Sequence, residues 1–125
     1  MDKLELSEGR GRTRVTISVQ LLGKDSILCI YNKQAHIGAV AVGDYAHKEE
    51  RVSISLITRL GHKEDAVAHN AAYKICKHTK KPVCVVAGIH LEKVTEAEIQ
   101  QLVSNSNKLI EKLLRDYDEY LVPKK

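Results

Sequence analysis

Three of the six histidines share a local pattern. Each stands beside a glycine in a short turn: Ala35-His36-Ile37-Gly38, Arg59-Leu60-Gly61-His62-Lys63-Glu64-Asp65 and Gly88-Ile89-His90. Glycine allows close approach of backbone or ligand, and an imidazole can bind a metal or donate to an anionic oxygen. Three such turns at the ends of regular elements point to one site, although any single histidine taken alone reads better as a surface or satisfied residue. The second turn also leads a strand into a helix, whose free N–H groups and dipole attract phosphate. Glu64 and Asp65 oppose that by placing negative charge in the same first turn.

Other reactive side chains form weaker patterns. His62, Asp65 and His69 can share one helix face and hold a metal, or Asp65 can cap the helix and leave His69 solvated. Arg10, Arg12 and Arg14 alternate, so on a strand they would share a face, to hold a phosphate or an acidic partner or to keep an edge strand from pairing. Lys74, Lys77, His78, Lys80 and Lys81 suit the solvated C-terminal end of a helix. Gly23-Lys24-Asp25-Ser26 imitates the end of a P-loop but lacks the glycine that begins one. HExxH, GxSxG and GxGxxG are all missing, and no strand end offers paired carboxylates for acid–base hydrolysis.

These turns must be positioned by the elements between them. Arg12–Leu22 alternates, with Val15, Ile17, Val19 and Leu21 on one side, as in a half-buried strand. Ser26–Asn32 is apolar on both faces and reads as a central strand. Ala35–Gly43 is a third strand, its small residues admitting close neighbours. Arg51–Thr58 is a fourth. Short polar turns between them suggest an antiparallel meander, with Leu4 and Leu6 as a further edge strand. After Gly61 the period becomes helical through Val67, Ala71 and Ile75, and the helix stops at Pro82. Val83–Ala87 is a short strand, so strand, helix and strand form a βαβ unit. Thr95 and Glu98 make a capping box, from which a helix of about 26 residues, roughly 39 Å, runs toward the C-terminus and overhangs the domain. The expectation is one domain over residues 1–125: a two-layer α+β sandwich with a mainly antiparallel sheet of about five or six strands and two helices on one face. The other face would carry small apolar residues at its centre and invites a second subunit, hence a homodimer.

Composition removes several classes. Hydrophobic residues at 43% and charged residues at 29% exclude a disordered chain. Five Tyr are the only aromatics, with no Trp and no Phe, which argues against base-stacking nucleic-acid binders. A net charge of +4, from 20 basic and 16 acidic residues, is a mixed surface. Cys29, Cys76 and Cys84 lack CxxC spacing and lie in apolar contexts, so reduced core thiols are expected. With no basic start followed by an apolar run, and no bilayer-length apolar stretch, a cytoplasmic protein off the membrane is expected.

The strings AHIGAVAVGDY (35–45), ISLITRLGHKEDAVAHNAA (54–72) and VVAGIHLEKVTEAEI (85–99) resemble the small LpdD-like prenylated-flavin chaperones encoded beside UbiD-type hydroxyarylic-acid decarboxylases. The resemblance runs from about residue 10 to 115 and departs only at the ends and surface loops. It implies a fold similar to proteasome assembly chaperone 4, a homodimer, and a non-catalytic role in holding prenylated FMN for a UbiD-type decarboxylase, with a flavin prenyltransferase as a second partner. The family pattern falls on His36 and Gly38, on Arg59, Gly61, His62 and Asp65, and on Gly88 and His90. In that setting Arg59 and the helix after Gly61 would bind the FMN phosphate. The imidazoles of His36, His62 and His90 would meet the flavin's polar edge or hold a divalent or ferric metal. Gly38 and Gly88 would leave room for the ring, and Tyr45 would pack against it. Two other readings stay open: an assembly module with no small ligand, and a metal-dependent enzyme built on His36, His62 and His90.

Overall fold

The computed structural model describes residues 3–60 and 64–123. Six strands form one sheet: β1 (Lys3–Glu8), β2 (Val15–Leu22), β3 (Asp25–Tyr31), β4 (Ala39–Ala46), β5 (Arg51–Thr58) and β6 (Val83–Gly88). Helix α1 (Asp65–Thr79) lies between β5 and β6, and α2 (Glu96–Asp116) and α3 (Asp118–Leu121) follow β6. The two-layer α+β expectation holds. Every ladder is antiparallel except β3 with β6, and the long helices share one face, α1 over β4, β5 and β6 and α2 over β1 and β2.

The strand order differs from a meander: β1-β2-β3-β6-β4-β5. The last strand in the sequence is inserted between the third and fourth. Its segment VCVVA is apolar on both faces, and such a strand is best satisfied with a neighbour on each side. β6 pairs in parallel with β3 (Ser26↔Val83 to Tyr31↔Gly88) and antiparallel with β4 (Ala39↔Ala87 to Gly43↔Val83). The connection from β3 to β4 must therefore cross the end of β6, spanning two strand spacings, roughly 9–10 Å.

The helix-facing side of the sheet is the core. Val15, Ile17 and Val19, Leu28 and Ile30, Val83 and Val85, and Ala39 and Ala41 are buried there beneath Ala68, Ala71, Ala72, Ile75, Leu109, Ile110 and Leu113. Small residues bring α1 close: a Cβ at Gly43 would lie 3.0 Å from Cys76 Cβ and 3.2 Å from the Ala72 carbonyl oxygen. Cys76 is buried and all three cysteines are free thiols. Burial raises the Cys76 and Cys84 thiols above their ordinary range. Both therefore favour the neutral, unreactive form.

At the N-terminal end of α2 the capping box forms as its sequence requires: Thr95 Oγ1 accepts from the Glu98 amide at 3.1 Å, and Glu98 accepts from the Thr95 amide at 3.1 Å. Arg12 joins the same carboxylate at 2.7 Å and donates to the Glu92 carbonyl at 2.7 Å. The arginines do not share a strand face, because Gly11–Thr13 is a turn of 3-10 helix that breaks the alternation. Buried Asn105 fastens that turn by donating to the Thr13 carbonyl at 2.8 Å.

Nor does the last helix overhang. It stops at Tyr117, and α3 folds back so that Leu121 is buried and the Tyr120 hydroxyl donates to the Val19 carbonyl at 3.1 Å. The sheet's other face has Ile27, Cys29, Cys84, Val86, Val40, Val42 and Ile57 across its middle, by register, with Ser53, Ser55, Thr16 and Gln20 toward the edges. Ile57 is 68% exposed and Val42 40%.

Two outcomes follow from this architecture. A Cβ at Gly88 would lie 1.6 Å from the His36 carbonyl oxygen, so Gly88→Ala forces backbone against backbone. It should cost about 3 kcal/mol, the upper part of the overpacking range, in urea unfolding. Hydrogen bonds from Arg12 and then from the Thr95 amide hold the Glu98 carboxyl at about 2, below its usual 4.5. A depressed carboxyl stabilises the fold above its unfolded-state value and loses that contribution as pH falls through its folded-state value. Glu98→Gln should thus lower the melting temperature at neutral pH, and its gap from the parent should close between about pH 4.5 and 2.

Candidate functional site

The crossing over β6 assembles the turns. Asn32, buried at the end of β3, uses its side chain as a clasp: Nδ2 donates to the His90 carbonyl at 2.8 Å, and Oδ1 accepts from the amides of Gln34 at 3.1 Å and His90 at 3.3 Å. The chain then passes over Gly88, whose missing side chain makes space for the His36 main chain. It enters β4 through Gly38, whose amide donates to the Ala87 carbonyl at 3.0 Å and whose carbonyl accepts from the Arg59 amide at 2.9 Å. The backbones of the first and third turns meet at the C-terminal end of β6, with Arg59 of the second bonded to Gly38.

Their side chains diverge from there. His36 Nδ1 is 2.9 Å from the Gln34 carbonyl oxygen and Nε2 is 2.9 Å from Glu64 Oε2. Both partners are acceptors, so the two bonds coexist only when both ring nitrogens carry hydrogen. Arg59 donates to the Ile37 carbonyl at 2.8 Å. The room expected at Gly38 and Gly88 for a flavin ring is taken by the protein itself, by the Glu64 carboxylate over Gly38 and by the His36 backbone over Gly88. Asp65 opens α1 and accepts from the Ala66 amide at 3.0 Å, and His69 is exposed. Gly61 and His62 lie outside the described residues.

His90 points to another place. Its Nε2 is 3.1 Å from Glu92 Oε1, and its ring borders an open cavity of about 690 Å³. Arg14 and Thr16 line this cavity from the β2 side, Tyr31, Asn32, Lys33 and Gln34 from the exit of β3, and His90 and Leu91 from the exit of β6. The volume is within the usual range for small-ligand sites. Burial, then the bond to Glu5 at 3.2 Å, raises the Tyr31 hydroxyl above its ordinary range and keeps it protonated. A second concavity, of about 520 Å³, is lined by α2 alone. It gathers none of the histidine turns.

Tyr45 is at the opposite end of β4 from the crossing, about 20 Å along the strand. There its ring meets His47 edge-on at 4.9 Å, with the Lys80 ammonium 5.9 Å from its centroid. Tyr31 is the aromatic residue at the site. The basic run in the last turns of α1 is a helix end with internal partners: Lys74 with Glu111 at 3.5 Å, His78 with Asp118, and Lys77 over Tyr73. Among the described residues no group of three or more His, Cys, Asp or Glu is placed to hold a metal. A metal at His36 would have to displace Glu64 or the Gln34 carbonyl.

Sequence reasoning missed Glu64 as the partner of His36, and Asn32, Lys33 and Tyr31 as walls of the cavity. Tyr31-Asn32-Lys33 does follow a strand, a position where an Asn commonly bonds nearby backbone. What that signal lacks is the partner, which is 58 residues away.

No curated protein matches the chain. In overall shape it is similar to a chain in the crystal structure of a chaperone complex for yeast 20S proteasome assembly, with a TM-score of 0.61 at 15% identity over 97% of this chain and 99% of that one. That likeness concerns the fold. By sequence, the prenylated flavin chaperone LpdD-like domain matches residues 9–118, a span containing the clasp, the crossing and the cavity. The chain belongs to the prenylated flavin chaperone LpdD-like family.

Proposed function

We propose that the protein is a non-catalytic carrier that binds prenylated FMN, accepts it from a flavin prenyltransferase and supports maturation of a UbiD-type decarboxylase in the cytoplasm. The observation that carries this reading is the cavity beside the β6 crossing in a chain of this family. Its walls combine cationic and neutral donors (Arg14, Lys33, Asn32, His90) with Tyr31 and Leu91, a mixture suited to an anionic, partly apolar ligand. His36, Gly38, Arg59 and Gly88 frame the crossing beside this site, His90 lines it and Asp65 opens α1; Gly61 and His62 join the proposal from the family pattern alone. Bound there, the cofactor would be held for transfer to the decarboxylase, where it would support decarboxylation. The chain's own residues bind and shield it.

The reading includes a homodimer formed through the bare sheet face. Its centre, from Ile27 to Ile57, carries no charged side chain across four strands. A face of that kind is favourably covered by another copy. A second reading, a protein-assembly module without a small ligand, is favoured by the full-length likeness to the proteasome-assembly structure. It predicts indifference to His36→Ala and His90→Ala.

One preparation tests these points. The protein is co-expressed with a flavin prenyltransferase and purified without oxygen; its visible absorption, the mass of the released cofactor and the molar mass in solution are then recorded. The carrier reading expects stoichiometric prenylated FMN on a dimer. Failure to retain either the reduced or the oxidised cofactor, while a decarboxylase control loads, contradicts the carrier, and a monomeric mass contradicts the dimer.

A further inference from the structure

We infer that the phosphate of the bound nucleotide is held in the cavity by Arg14 and Lys33, rather than by Arg59 and the start of α1. The inference rests on the carrier reading and adds the placement of the ligand's anionic end. Among the described residues no carboxylate lines the cavity. Three carboxylates do touch its lining groups, Glu5 at the Tyr31 hydroxyl, Glu92 at the His90 ring and Glu98 at Arg12. Arg12 is neutralised by that contact at 2.7 Å.

Arg14 and Lys33 differ. Among the described residues neither has a carboxylate partner: Arg14 places one Nη on the Gly9 carbonyl at 3.1 Å and keeps its other donors, and the Lys33 ammonium is unengaged. Both are exposed, so their charges are held near water at little desolvation cost. A phosphate monoester carries a charge of about −1.5 to −2 at neutral pH. Two uncompensated cations match it, with the guanidinium offering paired donors and the ammonium a point charge. Arg59 is the poorer seat because it does not line the cavity, its guanidinium holding the crossing segment through the Ile37 carbonyl.

The experiment compares the parent with Arg14→Met/Lys33→Met in a titration with prenylated FMN, with inorganic phosphate as competitor at constant ionic strength. Thermal unfolding checks that the exposed double substitution leaves the fold intact. Loss of two charge-assisted contacts should weaken binding at least tenfold. Phosphate should compete in the parent and lose its effect in the variant. Binding within about threefold of the parent overturns the placement and leaves the carrier reading standing. The same holds if the loss appears with Arg59→Met but not with the double variant. A parent that takes up no prenylated FMN contradicts the carrier reading itself, and the placement falls with it.

Discussion

The passage of Asn32–Gly38 over the end of β6 is the constraint on which the rest of the molecule depends. It exists because a strand made late in the chain, apolar on both sides, occupies the centre of the sheet between β3 and β4. The earlier connection then has one route, over Gly88, where any side chain would strike the His36 backbone. Hydrogen bonds refine the crossing. Each hydrogen bond of the Asn32 clasp, the Gly38–Ala87 bond and the Gly38–Arg59 bond is worth about 1 kcal/mol net, less than the steric cost of a Cβ at Gly88. Glycine therefore decides whether the crossing forms, and the polar contacts decide how it is held.

Function follows from what the crossing leaves at either side. On one flank His36, Glu64 and Arg59 are tied to the segment and to one another's elements. On the other flank the exits of β3 and β6 part around a cavity whose walls come from β2, β3 and β6. The helices are far from this opening in role: they seal the inner face, and α3 closes the end of the core through Leu121. A ligand bound at the cavity thus touches the loops and strand ends, while the packed layer beneath supplies rigidity.

Much of this was legible from local pattern. Strand alternation located β2 and β5, the paired faces of Ser26–Asn32 marked a central strand, and Thr95 with Glu98 marked the start of α2. Local pattern fails where long-range pairing decides. Nothing in the spacing of Val83–Ala87 states that it separates β3 from β4. The 3-10 turn at Gly11–Thr13 is fixed by Asn105 and Glu98, about ninety residues on, so the arginine alternation was misleading. The helix break at Tyr117 is likewise set by contact with β2 rather than by a stop signal. Gly38 and Gly88 do serve close approach, but the group that approaches is Glu64 over the first and the chain's own backbone over the second. Tyr45 and Tyr31 could be distinguished only by the end of the strand each occupies.

Backbone hydrogen exchange, read by mass spectrometry with and without prenylated FMN, tests the central claim most directly. A ligand at the crossing should slow exchange in residues 31–38 and 88–92, with little change in α2. Protection confined to α2, or no local protection despite a bound cofactor, would contradict the placement of the functional site at the β6 crossing.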